Sequence, residues 1–96
     1  MAVLQLSVKE KDAGRPATLA ELRRGQQAAV DSFDLPDDIA RRLMELGFLP
    51  GAVVTAARSA PGGDPRVFRI DGGEVALRRE TAARIRVRAH QSNGHP

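Results

Sequence analysis

The sequence predicts a mainly β fold: a small, strongly curved antiparallel barrel of about five short strands, with one short helix inserted between the first two. Three observations carry that prediction. Short apolar or alternating segments recur along the chain, separated by clusters of Gly, Pro and Asp. One stretch, Ile39 to Gly51, instead spaces its apolar residues as a helix does and ends on glycine. Finally, 96 residues have room for one domain, in which curling a sheet on itself hides edges that would otherwise pair with other molecules.

Taken in order, residues 1–17 combine a brief alternation (Val3, Leu4, Leu6, Val8) with a polar run from Lys9 to Pro16, and are assigned to a mobile leader or an edge strand. The domain is expected over residues 18–89. Thr18 with Glu21 has the form of a capping box around one short turn, with Leu19 and Leu22 facing inward and Gly25 ending it. Gln27 to Phe33 alternates as a first strand with Val30 on its inner face. Pro36 then suits a first helical turn, and Asp37 and Asp38 place negative charge at the helix's positive end. Ile39, Leu43 and Leu46 fall at i, i+4 and i+7, so one buried face is expected to carry all three. Gly47 suits the left-handed position that closes a helix, Phe48 and Leu49 fold back as an apolar plug, and Pro50-Gly51 suits a type II turn. The stretch from Ala52 to Ala60 reads as the second strand and Pro61 to Pro65 as a wide hairpin loop. Arg66 to Ile70 returns with Phe68 and Ile70 on one face. Asp71-Gly72-Gly73 marks a tight hairpin, after which Val75 and Leu77 resume the inward alternation. Arg79 to Ala83 allows one helical turn, Ile85 and Val87 alternate with arginines as a last strand, and residues 90–96 make a polar, disordered tail.

Composition excludes several classes. Without cysteine there is no disulfide framework, thiolate metal site or thiol nucleophile, which fits a reducing compartment and makes the cytoplasm the expected location. No apolar run approaches the roughly 18 residues of a membrane span, and no export signal is expected. The net charge of +3 is too small to identify a nucleic-acid binder, but it is unevenly spread. From Asp31 to Glu45 five acids oppose two arginines, whereas from Pro65 to Arg88 seven arginines oppose three acids. Such a split suits a dipolar surface that steers a protein partner.

Catalytic parts are missing. His90 and His95 sit in the tail, and Ser7, Ser32, Ser59 and Ser92 have no neighbouring base, so no catalytic residue and no cofactor are assigned. Asp34, Asp37 and Asp38 form the one acidic cluster, for which complementing the helix dipole is already a sufficient explanation. His90 with His95 would have to order a flexible tail to hold a metal, and no metal site is assigned. PGGDP at 61–65 lacks the lysine and the following helix of a phosphate-binding loop. Arg84, Arg86 and Arg88 alternate on a strand's outer face. With three aromatic residues in all there is no stacking platform for nucleic acid.

Leu19, Leu22 and Gly25, then RLMELGFLPG from Arg42 to Gly51, Gly63-Asp64-Pro65, and VALRRETAARIRV from Val75 to Val87 closely resemble the FeoA family of bacterial ferrous iron transport. The resemblance covers about Leu19 to Val87. It implies an SH3-like barrel with an inserted helix, and a small cytosolic accessory protein acting with FeoB, a membrane transporter whose cytosolic portion carries a GTP-binding domain. The same domain occurs at the C-terminus of metal-dependent repressors of the DtxR type, which makes an Fe(II)-sensing regulatory domain acting through Asp34, Asp37 and Asp38 or the tail histidines the alternative. A nucleic-acid-binding barrel is the third reading. The expected partner is the cytosolic part of a FeoB-type transporter, with peripheral membrane association through that partner only, no nucleic acid, and a weak homo-oligomer if a sheet edge is left free. The expected contact residues are Phe48 and Leu49 at the corner after the helix, and Arg78 and Arg79 on the same rim.

Overall fold

Local turn chemistry sets the element boundaries in the computed structural model, which describes residues 15–90. A 3-10 turn at Leu19–Glu21 precedes strand β1 (Gln27–Phe33). Helix α1 (Asp37–Glu45) leads to β2 (Val53–Ser59), and then follow β3 (Arg66–Ile70), β4 (Gly73–Leu77), the single helical turn α2 (Arg79–Ala82) and β5 (Ile85–Ala89). All five strands are antiparallel in one sheet of order β4-β3-β2-β1-β5, so the predicted strands and inserted helix are present. The leader or edge strand expected at the N-terminus, apart from residues 15–17, lies outside the described residues, as does the tail beyond His90.

The sheet curls where its registers slip, between Val30 and Ser32 opposite β5 and between Ala56 and Ser59 opposite β3. An extra residue on one strand bends it and increases its twist. The inward side chains Val30, Val54, Phe68, Ile70, Leu77, Ile85 and Val87 thereby meet in one core with Leu19 and Leu22. A ladder does not complete the enclosure, because the end strands β4 and β5 are not paired with each other. Ala82 of α2 and the leucines of the 3-10 turn fill the gap instead. Arg66 ties that turn to β3: its guanidinium donates to the Leu22 carbonyl and lies 5.7 Å from the centre of the Phe68 ring.

The expectation that barrel closure removes both sheet edges therefore needs correction. On the β5 side the chain before the turn covers part of the edge, with Thr18 bridged to Arg86 and the Val87 N–H donating to the Ala17 carbonyl at 3.0 Å. On the β4 side no strand is paired among the described residues. The chain leaving β4 turns through α2 before it reaches β5, so the two strands are not brought alongside. The capping box is not formed. Glu21 accepts the Ala17 N–H at 2.8 Å, one residue before the cap, and Thr18, whose backbone is extended into its bridge with Arg86, makes no side-chain cap.

Helix α1 ends in a Schellman motif. The Gly47 N–H donates to the Met44 carbonyl and the Phe48 N–H to the Leu43 carbonyl, each at 3.0 Å, with Gly47 at φ +111°. This geometry folds the residue after the glycine back against the helix's last turn, and Phe48 enters the core beside Leu43. Leu49 to Ala52 then forms the predicted type II turn, closed by the Ala52 N–H on the Leu49 carbonyl at 2.8 Å with Gly51 at φ +91°. The buried side of α1 differs from the expected one. Ala40 and Leu43 are buried, whereas Ile39 and Leu46 are 42% and 48% exposed. The seam turned to the core is narrow, one alanine and one leucine wide, and Ile39 and Leu46 lie along one flank of it.

Candidate partner-binding surface

The four residues expected to contact a partner fall in different environments. Phe48 is fully buried and offers no side-chain surface, which corrects its assignment as an exposed contact. Leu49 is 52% exposed at the turn between α1 and β2. Arg78 and Arg79 are exposed at the start of α2. The Arg79 N–H donates to the Asp64 carboxylate at 3.0 Å, which fastens α2 to the loop between β2 and β3. No hydrogen bond or ion pair among the described residues joins this basic pair to the Leu49 turn.

What the structure adds is an apolar ridge. Ile39 and Leu46, seven positions apart, share one side of α1, and Leu49 extends the exposed apolar surface beyond its C-terminal end. Met44 is exposed on the other shoulder of the buried seam. At its N-terminal end the ridge borders a shallow cleft with Leu35, Pro36 and Ile39 on one wall and Glu80, Thr81 and Arg84 on the other. The i, i+4, i+7 spacing of Ile39, Leu43 and Leu46 does not distinguish this ridge from the buried seam. The signal that separates its edges is Ala40 with Leu43, seven and four positions before Gly47, which places the narrow buried seam between Ile39 and Leu46 on one side and Met44 on the other.

Asp34, Asp37 and Asp38 are all exposed. Among the described residues no group of three His, Cys, Asp or Glu side chains is close enough to hold a metal ion. His90 borders a shallow polar depression with Arg15 and Arg88, and His95 lies outside the described residues. The outer sheet face is laced with ion pairs. Glu74 accepts from Arg58 at 3.2 Å and from Arg69 at 3.4 Å, and Asp31 pairs with Arg88 at 3.3 Å. The hydrogen bond and charge of Arg58, assisted by Arg69, hold the Glu74 carboxyl below its ordinary value. The Asp31–Arg88 contact also shows that the acidic and basic stretches of the sequence meet across β1 and β5. Among the described residues no helix is long and apolar enough to cross a membrane.

A model of the FeoA domain matches residues 17–89. The chain belongs to the FeoA family. A Porphyromonas gingivalis protein described as a fusion of Fe(2+) transport protein A with the Fe(2+) transporter FeoB is 39% identical over 75 residues. That match takes in 78% of this chain and 9% of the fusion protein, so the chain spans a small part of that relative's length. The solution structure of FeoA from Chlorobium tepidum is 38% identical with a TM-score of 0.72, over 82% of this chain and 76% of that one. Stenotrophomonas maltophilia FeoA, solved as a zinc complex and described as a prokaryotic SH3 domain protein, is 39% identical with a TM-score of 0.65, over 75% of this chain and 89% of its own. The fusion relative is described in terms of Fe(2+) transport, and the SH3-like fold expected from the sequence is the fold described for the Stenotrophomonas maltophilia relative.

Proposed function

We propose that this chain is a non-enzymatic accessory protein of ferrous iron uptake, which docks on the cytosolic part of a FeoB-type GTP-binding transporter and modulates its activity or assembly. The observation that carries the reading is the fusion relative, in which a domain similar to this one is covalently attached to the transporter. Fusion holds two modules at high effective concentration. A separate chain needs an interface to recover that proximity.

The ridge of Ile39, Leu46 and Leu49 supplies the apolar centre of such an interface. Large aliphatic side chains exposed by 42%, 48% and 52% leave area to remove from water, at about 25 cal/mol per Å² buried. Leu49 thus keeps its expected role, Phe48 supports the corner from inside, and Arg78 and Arg79 form a separate basic rim that steers approach. The full chain is titrated against the cytosolic domain of a FeoB-type transporter by calorimetry at low salt. Ile39→Ser with Leu46→Ser is expected to weaken binding by roughly tenfold or more, with the helical and strand content unchanged. No detectable binding by the wild-type chain overturns the docking role.

A further inference from the structure

We infer that β4 is a self-pairing edge, through which two copies of this chain join as an antiparallel, two-fold symmetric dimer. The backbone geometry leads there first. Ile70 and Gly73 flank the two-residue turn Asp71-Gly72 and are register partners, as are Phe68 with Val75 and Arg66 with Leu77. Residues flanking a two-residue hairpin exchange both of their backbone bonds, and the pattern alternates from there. Gly73, Val75 and Leu77 are therefore bonded to β3, and the N–H and C=O groups of Glu74 and Ala76 point away from it. No backbone bond to either residue is made outside the β3 ladder among the described residues, and both side chains are exposed.

Edge strands are ordinarily shielded by a charge standing over the free backbone. The charge on β4 is Glu74, and it is drawn back across the sheet, 3.2 Å from Arg58 and 3.4 Å from Arg69. The free groups are left bare.

Charge selects the occupant. Acids stand at the start, Asp71 in the turn before β4 and Glu74 on it, and the strand is followed directly by Arg78 and Arg79. A two-fold antiparallel pair necessarily sets the start of one strand against the end of the other. In the register that pairs Glu74 with Ala76 of the second copy, the bare groups exchange their bonds, Val75 faces Val75, and no like charges stand opposite each other. The acidic turn of each copy then lies beside the Arg78-Arg79 end of its mate. A second copy of this chain satisfies the edge at every position. With only five residues a side, against roughly 20–30 in a standard interface, the dimer is weak and concentration-dependent.

Sedimentation equilibrium on the full chain, from about 10 μM to about 1 mM, tests this in the range where so small an interface would become populated. The wild-type mass is expected to rise toward the dimer. Ala76→Pro removes an N–H that β3 does not use and is tolerated at such an edge, so it is expected to keep the wild-type far-UV circular dichroism and remain monomeric throughout. Arg78→Glu with Arg79→Glu is expected to weaken association about two- to fivefold, the worth of opposed surface charges. A wild-type chain that stays monomeric at the highest concentration, or an Ala76→Pro chain that dimerises like the wild type, overturns the proposal. If the wild type is monomeric and Ala76→Pro abolishes binding to the transporter domain, the edge belongs to that partner and self-pairing is wrong. The docking role stands or falls separately, on the titration of the Ile39 and Leu46 variants.

Discussion

Leu43 and Leu46 lie three positions apart on one short helix, and truncating each to alanine separates the structure's account of α1 from the periodicity's. Leu43 is 5% exposed and Leu46 is 48% exposed. Removing Leu43 loses the transfer free energy of a buried leucine and leaves a cavity between α1, Phe48 and the sheet, for a cost of about 2–5 kcal/mol. At Leu46 half the side chain is already in water, solvent fills the space vacated, and alanine is the better helix former, so the loss is below about 1 kcal/mol. Total stability for a domain of this size is about 4–10 kcal/mol. Leu43→Ala therefore removes a large part of it and lowers the melting temperature by tens of degrees, at about 4–8 °C per kcal/mol. Urea unfolding followed by far-UV circular dichroism reads both variants, since the chain has neither Trp nor Tyr to report by fluorescence. Equal losses at the two positions would refute the reasoning, because they would mean that the helix buries the Leu46 side after all.

Gly47→Ala is expected to cost about 1–3 kcal/mol in urea unfolding, because φ is +111° and a Cβ there stands 3.2 Å from the Asp71 Cβ; an unchanged midpoint would mean that the helix terminus and the β3–β4 hairpin are not in contact. The Glu74 carboxyl is held below its ordinary 4.5 by Arg58 and Arg69, so its contribution is present above that value and is lost as pH falls through the lower, folded-state one. Between about pH 6 and about pH 3 the wild type is expected to lose stability relative to Glu74→Gln, by a small margin because the pair is exposed. Parallel pH profiles would show that the ion pair contributes nothing.

Much of the fold was legible because it rests on neighbours in sequence. The Asp71-Gly72 hairpin, the Pro50-Gly51 turn and the glycine closure of α1 depend on the backbone preferences of a few adjacent residues, and each forms where it was read. The partner-binding surface was less legible. The fold-back of Phe48 is legible, since the spacing Leu43, Gly47, Phe48 is that of a Schellman motif, which turns the residue after the glycine inward, and that burial is what removes Phe48 from the contact surface. Periodicity puts Ile39 and Leu46 with the core because it finds the apolar side of a helix without saying how wide the receiving groove is.

The division has one physical reason. By itself the sequence determined which segments are strands, which is helix and where each turns, since these are set by φ/ψ preferences and by side-chain alternation over a few residues. Only the tertiary structure decided which apolar residues remain in water and that α2 and a 3-10 turn, rather than a β4–β5 ladder, complete the core. Burial is a contest for a fixed volume among side chains far apart in the chain, and on α1 it admits Ala40 and Leu43 and leaves Ile39 and Leu46 in water.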